Sequence, residues 1–308
     1  MIGINNIGCY IPVSKINILN RCHQFNRDET FIRKKTGFIK LPRKDKSMET
    51  SDMCVAAYEA LNNKTNINPK DIDCVIVCTQ NPDGYGLPHT ATIVHEKLGL
   101  SSTVAAFDIS LGCSGYVYCL NILSKFMQGN SMCNGLLFTA DPYSKILDPN
   151  DYVTELLFGD AATCTLISDR PVYALGNTLF GTDGSKHNAI NVDSRTRRLS
   201  MDGQNVFKFS MRVIPEHILN CIHVNKLALH SIDLFLLHQA SKYIVENIRN
   251  KLDLAVEKVP FQSSELGNTV SSTIPILLED YIQGGPGFIL LCGFGVGLSW
   301  ASTILKRL

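Results

Sequence analysis

Along the whole chain, short runs of apolar residues alternate with longer stretches in which apolar positions recur at helical spacing. The runs Asp73–Thr79, Leu136–Ala140, Ala162–Ile167, Leu234–His238 and Phe288–Cys292 are almost continuously apolar, as expected of strands buried on both faces. Between them the pattern predicts helices over Glu49–Asn62, Thr90–Leu98, Cys113–Gln128, Val206–His223, Lys242–Lys251 and Thr273–Gln283. Strands alternating with helices make this an α/β chain with helices packed on a sheet. A loop-rich stretch from about 181 to 203, carrying Arg195, Arg197 and Arg198, is expected to be exposed.

The pattern also repeats. Ile72-Asp73 opens one apolar run and Ile232-Asp233 another; Lys97-Leu98-Gly99-Leu100 faces Lys251-Leu252-Asp253-Leu254; Leu111-Gly112-Cys113 faces Leu266-Gly267-Asn268; and Gly135-Leu136-Leu137-Phe138 faces Gly287-Phe288-Ile289-Leu290. These matches occur in one order at offsets of 152 to 160 residues, which predicts two similar halves, 1–170 and 171–308. If a pseudo-twofold axis relates them, Cys113 and Asn268 occupy equivalent strand-to-helix turns near it, and His238 enters from a strand end.

Composition narrows the chemistry. Hydrophobic residues make up 45% and charged ones 19% of the 308, which excludes disorder and fibres. Lys and Arg number 29 against 28 Asp and Glu, so no global field draws in nucleic acid or an anionic membrane. No apolar run approaches the roughly 20 residues of a membrane span, and the N-terminal residues lack the pattern of a signal peptide. Eleven cysteines, an odd number without a C-x-x-C, indicate neither a disulfide framework nor a zinc knuckle, and read as reduced thiols of a cytoplasmic protein. His217, His223 and His230 are spaced so that they do not stack on one helix face, and no metal site is expected.

Three residues stand out, each with a plainer alternative. Cys113 has small neighbours, Gly112 and Ser114, at a predicted helix start, where the helix dipole would favour an exposed thiolate; a tightly packed core cysteine is the alternative. His238 ends a strand and is followed by Gln239-Ala240-Ser241; it either faces a site at the sheet edge or is a satisfied buried histidine. Asn268 is a turn residue after Gly267, raised above that by its equivalence to Cys113. Gly293-Phe294-Gly295-Val296-Gly297 has the wrong spacing for a dinucleotide loop, and reads better as backbone that approaches a ligand or donates N–H groups to an oxyanion.

Together with Phe31-Ile32, Lys35-Thr36-Gly37, Glu49-Thr50-Ser51-Asp52-Met53, Leu157-Phe158-Gly159-Asp160-Ala161-Ala162 and Met201-Asp202-Gly203-Gln204-Asn205-Val206-Phe207-Lys208, these residues resemble the β-ketoacyl-acyl-carrier-protein synthase III family over nearly the full length. The resemblance implies a thiolase-like fold, two duplicated α-β-α-β-α halves in a five-layered αβαβα core. It implies Cys113 as acyl carrier, and His238 and Asn268 as oxyanion donors. Gly295 and Val296 would line an oxyanion hole, with Phe294 excluding water. A homodimer condensing an acyl thioester, on CoA or on acyl carrier protein, with malonyl carrier protein is implied, without a cofactor. The alternative is acyl transfer to an alcohol or amine on the same fold, without condensation.

Departures are visible too. Where members sandwich the CoA adenine between a Trp and an Arg, this chain has Phe31 and Tyr152, which keeps stacking but loses the cation. Ser241 replaces the usual Asn near the pantetheine arm. Val296 stands where a third glycine is common, and a β-branched residue resists positive φ. Leu87 stands where some members present Phe to the neighbouring subunit's acyl pocket. Phe158, Phe207 and Lys208 complete the expected substrate contacts, and Lys242, Lys208 and Arg249 are the candidates for meeting an acidic carrier protein.

Overall fold

The computed structural model describes residues 1–308. Its strands join in the order Leu234–Leu237, Phe288–Gly295, Ser299–Arg307, Tyr173–Leu175, Gly3–Tyr10, Ala162–Ser168, Asn134–Ala140, Cys74–Cys78 and Ala105–Ile109, and Leu179–Thr182 pairs separately with Ser299–Arg307. Pairing is parallel towards both ends and antiparallel through the middle. The strand order is therefore mirrored about the contact between Gly3–Tyr10 and Tyr173–Leu175. That contact holds only through Gly3 opposite Ala174 and Ile4 opposite Tyr173.

So short a junction lets the two wings face each other across a layer of helices. Helix Gly115–Gly129 packs against Cys74–Cys78 and Asn134–Ala140 in one wing and against Phe288–Gly295 and Ser299–Arg307 in the other. Helix Thr273–Glu279 likewise touches Leu234–Leu237 in one wing and Gly3–Tyr10 and Ala162–Ser168 in the other. Helices Thr50–Thr65 and Thr90–Lys97 cover the outer face of one wing, and Gly203–Val224 with Lys242–Lys251 that of the other. The result is five layers, helix, sheet, helix, sheet, helix.

Strand periodicity distributes the core among these layers. Cys74, Ile76 and Cys78 point inward to the central helices, whereas Val75 and Val77 join the outer cluster. In the other wing Leu234, Leu236, Ile289 and Leu291 face inward, and Phe235, Leu237, Leu290 and Cys292 outward. Burial on both faces explains why these segments read as unbroken apolar runs.

Each of the five predicted strands forms with at least one shifted end, and Phe288–Gly295 runs three residues further than expected. Strands Gly3–Tyr10 and Ser299–Arg307 had no clear apolar signature. The first contains Asn5, Asn6 and two glycines, and the second buries Ser302 and Thr303 between apolar neighbours. The predicted helix from Cys113 starts at Gly115, the one from Thr273 ends at Glu279, and the loop-rich stretch holds a short hairpin, Ile190–Val192 with Leu199–Met201. Of the eleven cysteines nine are buried, but Cys133 is exposed and Cys9 half-buried, so not all are packing residues.

Candidate active site

Strand Ala105–Ile109 ends in a sharp turn that delivers Cys113 just ahead of helix Gly115–Gly129. The neighbouring Ser114 is fixed by a hydroxyl contact of 2.7 Å to Ser299, which ties this turn to the other wing. Cys113 is 6% exposed, not open to solvent as the sequence suggested. Burial pushes its thiol up to about 12; the Val296 N–H and the residue's own N–H favour the thiolate, and buried Asp141 opposes it. The helix start therefore does not by itself produce a free thiolate. The backbone N–H groups of Cys113 and, from the glycine loop, Val296 lie near enough to favour negative charge at this position.

Gly295 makes that arrangement possible. A Cβ at this position would stand 2.7 Å from Cys113 Sγ and 2.8 Å from Cys113 Cβ, with φ at +156°. The glycine brings the Val296 N–H against the sulfur. Positive φ falls on Gly295 and Gly297, while Val296 between them has none, so the expected conflict for a β-branched residue does not arise.

His238 follows strand Leu234–Leu237, anchored by its backbone N–H to the Cys292 carbonyl at 2.9 Å. Its ring is 1% exposed and meets Phe294 edge to face, with centroids 5.6 Å apart. Burial drives its pKa down to about 3, against a smaller opposing effect of the Val270 carbonyl, so the imidazole is neutral at physiological pH. Nδ1 lies 2.7 Å from Thr273 Oγ1, and the Thr273 hydroxyl is 3.1 Å from the Val270 carbonyl. Rotation of that hydroxyl sets the tautomer. When it donates to Val270, Nδ1–H donates to Thr273 and Nε2 carries a lone pair; when it donates to Nδ1, Nε2 carries the proton.

Asn268 sits where the wings are stitched together. Its N–H donates to the Leu157 carbonyl at 2.9 Å and its carbonyl accepts from Gly159 N–H at 3.1 Å. Its side-chain Oδ1 accepts from the Val270 N–H at 2.9 Å, which leaves the Nδ2 donors available. Val270 holds φ +54°, a left-handed conformation that is costly for a β-branched residue, and is fully buried. That strained residue fixes the Asn268 amide with its N–H and receives Thr273 with its carbonyl.

Cys113, His238 and Asn268 all line one cavity of about 680 Å³, whose walls are mainly apolar. Phe294, Gly295 and Val296 lie on it, as do Phe31, Tyr152, Phe158, Phe207 and Ser241. Leu87 and Lys208 do not: Leu87 is 94% exposed and Lys208 is on the outer surface of its helix. Ser241 is engaged as the N-cap of helix Lys242–Lys251, with its Oγ accepting from Ile244 N–H at 3.3 Å. Lys242 and Arg249 border a second cavity next to Arg33 and Glu246.

Sequence reasoning missed Thr273, Val270 and Arg27. The expected loss of a cation beside Phe31 and Tyr152 is corrected: the Arg27 guanidinium carbon stands 5.2 Å from the Phe31 ring centroid and 4.3 Å from that of Tyr152. Helical spacing gives no hint of this, because Arg27 precedes Asp28, the N-cap of helix Glu29–Phe31.

Comparison with known proteins places this arrangement. The profile of 3-Oxoacyl-[acyl-carrier-protein (ACP)] synthase III matches residues 107–184, and that of its C-terminal part matches residues 222–307. Beta-ketoacyl-[acyl-carrier-protein] synthase III of Streptococcus agalactiae serotype III (strain NEM316) is 33% identical over 98% of both chains. The namesake from Campylobacter fetus is 30% identical over 99% of this chain and 98% of its own. The crystal structure of 3-oxoacyl-[acyl-carrier-protein] synthase III from Aquifex aeolicus VF5 superposes with a TM-score of 0.93 at 26% identity, covering 100% of both chains.

Proposed function

The chain belongs to the 3-oxoacyl-[acyl-carrier-protein] synthase III family, and on that premise we propose that it is an acyltransferase carrying out a decarboxylating Claisen condensation in two half-reactions. In the first, the Cys113 sulfur attacks an acyl thioester; its bond to the acyl carbon forms, the donor sulfur leaves, and the thiol proton ends on that leaving sulfur. In the second, malonyl carrier protein loses CO2 and the released electron pair becomes an enolate. Its carbon attacks the acyl-Cys113 thioester and expels the cysteine sulfur, which regains a proton from the medium. The products are a β-ketoacyl carrier protein, CO2 and the free donor thiol. The reaction needs no cofactor beyond its thioester substrates.

The N–H groups of Cys113 and Val296 receive the oxyanion formed on the acyl carbon. His238, in its Nε2–H tautomer, and the Asn268 amide receive the enolate oxygen. Phe294 keeps water from the reacting carbon. The same reading treats residues 1–170 as the half bearing the nucleophile and 171–308 as the half bearing His238 and Asn268. Lys242, Lys208 and Arg249 meet the acidic carrier protein, the chain works as a cytoplasmic homodimer, and Leu87 reaches the partner's acyl pocket. The observation that carries the reading is the convergence of Cys113, His238 and Asn268 on one apolar cavity, with a backbone donor already at the sulfur.

Incubation with a panel of acyl-CoAs and acyl carrier proteins, read by intact mass, tests it. One acyl adduct on the wild type, none on Cys113→Ala, and CO2 with a two-carbon-longer product on adding malonyl carrier protein are expected. Acylation followed by transfer to an alcohol or amine without CO2 would refute condensation.

A further inference from the structure

The turn that fixes both Asn268 and His238 is strained, and its neighbours must hold it. Val270, at φ +54° and fully buried, bonds the Asn268 amide through its N–H and Thr273 through its carbonyl. A conformation so costly for a β-branched residue persists only where surrounding contacts over-determine it. Those contacts come from the other wing, from Thr139 and Asp141 at the end of strand Asn134–Ala140. Ser272 Oγ lies 2.8 Å from Thr139 Oγ1 and donates to the Thr139 carbonyl at 3.2 Å, both neutral partners. Ser271 instead donates its hydroxyl to Asp141 Oδ2 at 2.8 Å. The second carboxylate oxygen, Oδ1, accepts from the Gln80 N–H at 2.7 Å and from the Thr79 hydroxyl at 3.4 Å. Asp141 is 1% exposed and no cation pairs with it. Burial pushes its carboxyl up to about 6, while the bonds from Gln80, Ser271 and Thr79 hold it down, so it is mainly ionised at neutral pH. A buried carboxylate without a counter-ion is costly unless donors satisfy it. Here they come from both wings, and the charge joins the halves at the turn.

We propose that Asp141 is a positioning residue for the decarboxylating half-reaction: through Ser271 it holds the Val270 turn, and through that turn it aims the Asn268 amide and the Thr273-bound His238 imidazole. This rests on the condensing-enzyme reading above. Neither Asp141 nor Ser271 lines the cavity, so neither touches the reactants, and both act through the turn.

The test measures, for wild type and variants, the rate of Cys113 acylation by intact mass and the rate of CO2 release from malonyl carrier protein. Ser271→Ala cuts the tie and keeps the carboxylate. The ratio of CO2 release to acylation should fall by about tenfold, the worth of one charge-assisted hydrogen bond. Asp141→Asn keeps one acceptor oxygen, which the Gln80 N–H claims, so Ser271 meets an amide NH2 and the ratio should fall by about threefold or more. Because Asp141 acts through Ser271, the double variant should stay within about twofold of Ser271→Ala alone. Independently of turnover, the imidazole nitrogen NMR shifts of His238, which report its tautomer, should move in Ser271→Ala while those of His217 stay in place. A ratio within about twofold of wild type in Ser271→Ala would overturn the proposal, as would equal slowing of both half-reactions, which a merely structural role produces. Single losses that multiply in the double variant, or His238 shifts that do not move, would overturn it too. A wild type that releases no CO2 with any acyl donor would instead reject the underlying reading, and the His238 shifts would still decide whether Asp141 and Ser271 position the imidazole.

Discussion

Gly295→Ala confronts the site with a single methyl group. The added carbon would lie 2.7 Å from Cys113 Sγ and 2.8 Å from Cys113 Cβ, closer than nonbonded carbons and sulfurs stand. Two escapes exist, and both cost the same contact. If Cys113 swings aside, its sulfur leaves the Val296 N–H; if the loop retreats, the N–H leaves the sulfur and the register of Gly295 with Ser299 is disturbed. Overpacking a buried site of this kind destabilises by about 1–3 kcal/mol, which a domain of this size survives folded. Losing one preorganised donor to an oxyanion lowers the rate by about 10²- to 10³-fold. The expected result is thus a folded protein whose acylation of Cys113 is slowed by about two orders of magnitude or more. Rapid-quench intact mass gives the rate, and urea unfolding gives the stability. Gly129→Ala is the control, because a Cβ there meets nothing within 4 Å. Acylation of Gly295→Ala within about threefold of wild type would refute the argument that this glycine holds the oxyanion donor against the sulfur.

Asn268→Asp keeps the acceptor bonded to Val270 but replaces the Nδ2 donors with an anion, so CO2 release should fall by about 10²-fold or more while acylation of Cys113 persists; equal loss of both would place Asn268 in the first half-reaction. Thr273→Val removes the hydroxyl that sets the His238 tautomer, so decarboxylation should slow by about tenfold and Thr273→Ser should restore it; an unaltered kcat would remove Thr273 from the mechanism. His217 is buried with an unpartnered Nε2, and burial lowers its pKa to about 4. The unfolded chain takes up that proton first, so the stability tied to this residue is complete above about pH 6.5 and is lost as pH falls towards 4. His217→Phe should accordingly remove about 2 kcal/mol of the stability lost between pH 7 and 5, measured by denaturant midpoints; parallel pH curves for the two proteins would contradict it.

Much of the scaffold was legible because the five predicted strands are buried on both faces and carry few polar residues. Asp73–Thr79 and Phe288–Cys292 could hardly be anything else. The edges of that reading fail where polar side chains are satisfied internally, as Ser302 and Thr303 are in Ser299–Arg307, since burial there is invisible to an apolar count. The same limit governs the site. Cys113, His238 and Asn268 are legible as residue types at strand ends and turns, but the state of the thiol depends on how much protein surrounds it, and the expected dipole effect is outweighed by burial. Val270 and Thr273 look like ordinary helix-start residues until their backbone conformation is known. Arg27 reads as a surface charge until Tyr152, distant in sequence, is brought to it beside the nearby Phe31.

The mirrored strands place Cys78 where the other wing has His238, yet only His238 opens onto the chamber. Behind Cys78, helix Gly115–Gly129 begins so near that a Cβ on Gly115 would lie 2.3 Å from the sulfur, and the thiol donates to the Leu111 carbonyl at 3.2 Å. There is no room for an imidazole. On the reaction proposed above, two mirrored strand ends serve differently: Cys78 packs beneath the turn that carries Cys113, and His238 faces the chamber. Change at position 78 would reach Cys113 through the few residues between Leu111 and Gly115, whereas change at position 238 would alter the cavity wall itself. Diversification of such an enzyme is constrained unequally, tightly by mechanics in one wing and by chemistry in the other.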